Sequence, residues 1–350
     1  MSATLVSPQL TVSQNRARGV WSAAATRFRT DRVGMVSLVV VVLFLLLVIA
    51  ASVGLVAKDW QAETGVPDAP PTFMGPAAVT ESTAIAAPTG PNVDISAIDP
   101  LAPRYKEWDE AAKKYQTTET VKAQTLPFGG DRLGRDVLAK AVKGAQVSIL
   151  VGVSAALLAT FIGTLLGAIA GFFGGRAGDF LEWLYNVFTA IPSILLIFAF
   201  AAVFPRGVGS VVLILGLAGW TGIYRLVRAE FIKHAVRDYV RSAEAIGAST
   251  SSRMFRHILP NVSHVVLVQL SIHVVGFIKS EVILSYLGLG VGVDQVSWGT
   301  MLAEAQSQLI LGQWWQLAAA TIFRAVFVTA FSLMTDALRD ALDPKLRGLE

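Results

Sequence analysis

From Gly34 to Ala57 the chain runs for about 24 residues without a charge. At about 1.5 Å per residue this makes roughly 36 Å of helix, enough to cross a hydrocarbon core about 30 Å thick. The run is longer than a signal-peptide core of about 7–15 residues, and a polar stretch precedes it, so it reads as a retained span. Five further apolar runs occupy residues 147–172, 183–204, 208–224, 263–287 and 316–337. The chain is therefore expected to be an all-α membrane protein with six transmembrane helices. Composition excludes the competing classes. Charged residues are 15% and apolar residues 53% of the chain, against about 25% charged in soluble domains. A freely soluble enzyme and a disordered scaffold do not fit, and a net charge of +4 is too small for a nucleic-acid-binding face.

Basic residues set the orientation. Arg16, Arg18, Arg27, Arg29 and Arg32 precede the first span. Arg225, Arg228, Lys233, Arg237, Arg241, Arg253 and Arg256 lie between the fourth and fifth, and Arg339, Lys345 and Arg347 follow the sixth. With six spans all three groups fall on one side, so both termini are expected to be cytoplasmic. The expected organisation is a cytoplasmic segment at 1–33, a first span at 34–57 and an outer loop at 58–146. A core of five spans at 147–340 and a cytoplasmic tail at 341–350 follow. Eight of the 14 prolines fall between Pro67 and Pro103, so residues 61–104 read as an extended or irregular excursion. Residues 104–125 include a helix-compatible stretch.

No catalytic constellation is visible. The sequence holds no G-x-x-x-x-G-K-[ST] loop, no H-E-x-x-H and no Cys, and its four histidines stand singly. The chain reads as a non-enzyme with no metal site and no cofactor of its own. Its informative part is the cytoplasmic loop at 225–262, whose centre runs from Asp238 to Asn261. Gly247 is expected to end a short helix with φ > 0, Ser249 and Thr250 to cap a second, and Pro260 to limit that one. Two short helices meeting at a tight turn would make a docking element.

The spacing Ala243-x-x-x-Gly247, then His257, Leu259 and Pro260, resembles the EAA loop of ABC importer permeases. Within that family the chain is similar to the C-type permease of dipeptide and oligopeptide importers. Gly130-Asp131-Arg132-Leu133-Gly134-Arg135-Asp136 before the second span, Gly174-Gly175-Arg176 and Ile191-Pro192-Ser193 match further landmarks. Glu281, Leu287 to Gly290, Ser297-Trp298-Gly299 and Leu338 to Pro344 complete the pattern over about 220 residues. The consensus acid falls at Arg241 and the usual Ile at His257. The resemblance implies a type I ABC importer permease fold in a bacterial inner membrane, with 58–146 periplasmic. It further implies a second homologous permease subunit, two cytoplasmic ATPase subunits that use ATP and Mg, and an extracytoplasmic solute-binding protein. Tyr239, Ala243, Glu244, Gly247, Ala248, Ser249, Arg256, His257, Leu259 and Pro260 would then form the ATPase-coupling loop. The alternative is a proton-coupled secondary transporter acting alone, which would need inverted halves and a buried relay.

Three further features stand out. Gly163, Gly167 and Gly171 form consecutive G-x-x-x-G steps that read as close helix packing. Lys279, Glu281 and Arg324 are intramembrane charges, costly unless paired or facing water, and Glu281 is expected to pair with Arg324. Trp314 and Trp315 read as an interfacial belt. The residues do not specify the transported solute.

Overall fold

A computed structural model describes residues 20–76, 99–114, 122–292 and 294–342. Arg16, Arg18, the remainder of the Pro-rich stretch at 77–98, and Pro344, Lys345 and Arg347 lie outside the described residues. The described chain is helical: α1 (Val20–Thr30), α2 (Arg32–Ser52), α3 (Tyr105–Lys114), α4 (Val137–Phe173), α5 (Gly175–Thr189), α6 (Ser193–Val203), α7 (Val208–Ala235) and α8 (Asp238–Ala245). One continuous helix, α9 (Thr250–Tyr286), then α10 (Trp298–Ile310) and α11 (Trp315–Leu342) complete it. Among the described residues no strand forms beyond isolated bridges.

Among the described residues five helices (α2, α4, α7, α9 and α11) are long and apolar enough to cross a membrane. The expected third span is a pair, α5 and α6, bent by 85°, and counting it as one span gives six. The bend has a local cause. Pro192 disfavours helical backbone at Ile191 and lacks the N–H that would continue the ladder. The chain therefore restarts at Ser193 instead of bending gently.

Pro260 behaves differently from the expectation that it limits a helix. α9 runs straight through it, because residues Arg253–Ile258 just before it take π-helical bonding. The wider turn gives room for the ring and absorbs the missing N–H. At the other end of the first span, α2 stops at Ser52, with Gly54 at φ +78 and the Leu55 amide donating to the Ala50 carbonyl at 2.9 Å. That Gly-based termination shortens the helix relative to the apolar run.

The chain forms two compact units. The larger comprises residues 1–58, 141–304 and 320–350, and its core collects Ile149, Ala155, Ile214, Leu215, Ile278 and Phe327. Within it α4 and α7 approach closely at the three glycines. A Cβ on Gly163, Gly167 or Gly171 would lie 2.6, 2.7 or 2.6 Å from the carbonyl oxygens of Trp220, Tyr224 and Arg228. Each glycine thus sits directly against the partner backbone, as the small-residue spacing requires.

The smaller unit comprises residues 59–140 and 305–319. Here the expected irregular excursion is ordered over its described part. The Gly65 amide donates to the Gly134 carbonyl, Val66 to Ala123, and Thr72 to Leu126, each at 2.9 Å. These bonds reach across more than fifty positions of sequence, so no local composition reveals them. Trp315 also departs from the belt reading. Its ring is buried, and its Nε1–H donates to the Gly130 carbonyl at 2.7 Å. Trp314 remains exposed.

Candidate functional site

The expected loop at 225–262 begins later than the sequence suggests, because α7 continues to Ala235; the rest folds into α8, a tight turn and the first turns of α9. Gly247 adopts φ +89, and the Ala248 amide donates back to the Ala243 carbonyl at 2.9 Å, closing α8 in a Schellman turn. Ser249 then caps the next helix, its Oγ accepting from the Ser252 amide at 3.3 Å. The helix is short because glycine turns the backbone, and it is held by what it buries. Val240 and Ala243 are nearly inaccessible. Val240 packs with Met254, Ile258 and Val262 of α9, Ala168 of α4, and Ile223, Val227 and Phe231 of α7.

Polar ties reinforce this seat. Arg253 reaches Glu244 at 2.5 Å while its guanidinium carbon lies 5.5 Å from the Phe172 ring centroid. One side chain thereby links α8, the π-helical start of α9 and the end of α4. The Tyr239 hydroxyl lies 2.8 Å from His234 Nδ1, joining α8 to the end of α7. Desolvation raises the Tyr239 phenol above its usual range, so it stays a neutral hydroxyl. Asn261 donates to the His257 carbonyl at 2.7 Å.

The surface left over is smooth. Glu244, Gly247, Ser249, Arg256 and Pro260 are exposed, Tyr239 is 38% exposed, and Ala248, His257 and Leu259 are half-buried. Ile246 projects at 86% exposure beside Gly247. Sequence reasoning missed Ile246 and Arg253. The signal for Ile246 was an aliphatic residue adjoining a helix-ending glycine in a basic loop; nothing local marks Arg253 as different from its basic neighbours.

The motif before the second span is a fastening. Asp131, 2% exposed in its side chain, accepts at Oδ1 from the Leu133 and Arg135 amides, both at 2.9 Å. Its Oδ2 takes Arg135 Nε and Lys140 Nζ, both at 2.7 Å. Burial alone would raise the Asp131 carboxyl, but the Lys140 charge and these hydrogen bonds together hold it below the usual range. Gly134 turns at φ +77, Gly130 donates to the Ala69 carbonyl at 2.7 Å, and Asp136 caps α4 through the Leu138 amide at 2.8 Å. Gly130, Asp131, Gly134, Arg135 and Asp136 each have a structural partner within the smaller unit.

The three intramembrane charges do not converge into one ion-paired cluster. Lys279 is exposed on α9, and Arg324 is half-buried on α11. Glu281 is fully buried, and its Oε1 accepts from the Ser285 hydroxyl at 2.7 Å. Arg324 lies within electrostatic reach, but among the described residues the two form no ion pair, and Glu281 Oε2 has no hydrogen-bond partner. The carboxyl instead belongs to a hydroxyl cluster. Ser285 Oγ accepts from the Val291 amide at 3.3 Å, and Ser148 Oγ of α4 accepts from the Trp298 amide at 3.2 Å. An adjacent acid and base read as partners from helical depth alone, whereas the i, i+4 hydroxyl at Ser285 is nearer.

Residues 163–348 match the model of the binding-protein-dependent transport system inner membrane component. The chain is 30% identical over 333 residues to the oligopeptide transport system permease protein of Bacillus subtilis (strain 168), covering 94% of this chain and 90% of that protein. It is 34% identical to the dipeptide transport system permease protein of the same organism, over 65% of this chain and 73% of the other. Against the di/tripeptide transport system permease protein of Pseudomonas aeruginosa (strain UCBPP-PA14) it is 37% identical, covering 63% and 73% respectively.

Proposed function

We propose a function from one premise: this chain belongs to the binding-protein-dependent transport system inner membrane components. It is a multi-pass membrane permease, a transport subunit and not an enzyme. On our reading it forms half of the pathway of an ATP-driven importer of dipeptides or oligopeptides in a bacterial inner membrane, with both termini cytoplasmic. A second homologous permease completes the pathway, two ATPase subunits bind below, and a solute-binding protein delivers peptide from outside. Its similarity to oligopeptide, dipeptide and di/tripeptide permeases supports the peptide class.

One observation carries the coupling role. α8 is a short helix seated rigidly on the ends of α4, α7 and α9, and it presents Ile246 beside Gly247 to solvent. A knob beside a position without a side chain suits a groove on a partner. The Arg253 tie to Glu244 and Phe172, with the Val240 seat, makes a push on α8 a push on three long helices at once. ATP-driven movement of the partner then rocks the spans between inward and outward openings.

The test is Gly247→Asp. Aspartate tolerates positive φ better than most residues, and nothing lies within 4 Å of a Cβ there, so the cost is confined to backbone strain of about 1–2 kcal/mol. The variant should insert like the parent and melt only slightly below it, while the ATPase subunits no longer co-purify and labelled-peptide uptake is lost. Undiminished co-purification refutes the docking assignment, and intact docking with no peptide uptake by the parent refutes the peptide class.

A further inference from the structure

Residues 69–76, Ala-Pro-Pro-Thr-Phe-Met-Gly-Pro, contain no charge and form a 3-10 turn at Thr72–Met74. This turn leaves Phe73 and Met74 65% and 54% exposed. Phe73 nevertheless has fixed neighbours. Its ring centroid lies 6.3 Å from both Phe128 and Trp314, and those two rings are 6.4 Å apart. Trp314 is the residue before α11, and its carbonyl accepts from the Ala318 amide at 3.0 Å as the helix's first bond.

The position of that end follows from length. α11 has 28 residues, or about 42 Å at about 1.5 Å per residue, which matches a bilayer of about 40–45 Å including headgroups. Trp314 therefore stands at the membrane–water boundary, where tryptophan is enriched. The turn is held at that level by successive bonds. Trp315 Nε1 donates to the Gly130 carbonyl at 2.7 Å, the Gly130 amide to the Ala69 carbonyl at 2.7 Å, and the Thr72 amide to the Leu126 carbonyl at 2.9 Å.

We propose that Phe73 and Met74 are a membrane-interface anchor, inserted among the lipid headgroups beside Trp314 and tethering the loop after the first span to the bilayer. An uncharged, preorganised turn with two exposed apolar side chains at headgroup level buries that surface in lipid without ordering any further chain. The inference rests on α11 spanning the membrane and not on which solute is carried.

The parent chain has no cysteine, so single-cysteine variants carry one nitroxide label each. Phe73→Cys, Met74→Cys and, as an aqueous control in the same unit, Lys122→Cys are made in the full-length chain and held in phosphatidylethanolamine–phosphatidylglycerol nanodiscs. Collisions with oxygen and with nickel–EDDA are then measured. At 73 and 74 the oxygen-to-nickel ratio should exceed that at 122 severalfold. Met74→Cys leaves the aromatic cluster intact, so its ratio decides the matter if Phe73→Cys disturbs the turn. A ratio at 74 equal to that at 122 overturns the proposal. So does a label that is water-accessible until the solute-binding protein is added and shielded afterwards, because the face would then belong to that protein.

Discussion

Gly167→Ala puts the close approach of α4 and α7 to a quantitative test. The added Cβ would lie 2.7 Å from the Tyr224 carbonyl oxygen, 3.0 Å from Val227 Cβ and 3.1 Å from the Arg228 amide nitrogen. A carbon–oxygen contact is relaxed at about 3.3–3.6 Å, so the helices must part locally by roughly 0.6–0.9 Å. Backbone cannot rotate aside as a side chain does. A gap of that size forfeits about a quarter to a half of each dispersion well along the seam, and overpacking of this kind costs about 1–3 kcal/mol. Alanine's better helix propensity returns about 1 kcal/mol, leaving a net loss of up to about 2 kcal/mol. Gly276 in α9 is the control. Nothing lies within 4 Å of a Cβ there, so Gly276→Ala should be neutral or stabilising by up to about 1 kcal/mol. Gly163 and Gly171 press on the same partner helix at 2.6 Å each. Once one alanine has separated the pair, the others cost less, and the triple variant should lose less than the sum of the singles. Reversible unfolding of the purified chain in mixed micelles, scored by helicity, reads the parent and all five variants. A Gly167→Ala variant stabilised as much as Gly276→Ala, or strict additivity in the triple, would show that α4 and α7 are not in close contact at these glycines.

Two buried polar groups, Asp131 and Glu281, extend the test to other parts of the molecule. Asp131→Asn removes the carboxylate facing the buried Lys140 ammonium and should cost about 3–5 kcal/mol at neutral pH. The folded carboxyl sits below its ordinary value of 3.8, so its stabilisation is complete above that value and is lost as pH falls through the folded one. Melting temperatures of parent and variant should therefore converge only in that acid range, and a gap that closes nearer neutrality would contradict the assignment. Glu281→Gln keeps the volume and the acceptor for Ser285, so unfolding should shift by no more than about 1 kcal/mol. Glu281→Ala empties a fully buried site and should cost about 2–4 kcal/mol; a more damaging glutamine would show that the charge itself matters.

Much of this molecule can be read locally. The free energy of placing a residue in lipid is nearly additive along a helix, so apolar runs identify spans without knowledge of their neighbours. Glycine at φ > 0 is likewise a property of one residue, and Gly247 ends α8 for that reason. The G-x-x-x-G steps on α4 point to close packing, because only small side chains permit it, although they do not say against which helix.

Membrane class, the number of apolar runs and the place of the projecting loop are legible along the chain, since each depends on the chemistry of neighbouring residues. The packed fold alone settles which distant segments meet. It joined residues 65–72 to 123–134 and turned Trp315 from a lipid-facing belt into a hydrogen-bonded fastener. It gave Glu281 a serine partner in place of an arginine, and it let Arg253 tie three helices together. Such contacts depend on the distance and direction left once all the helices have packed. A one-dimensional pattern of solvation free energies carries neither.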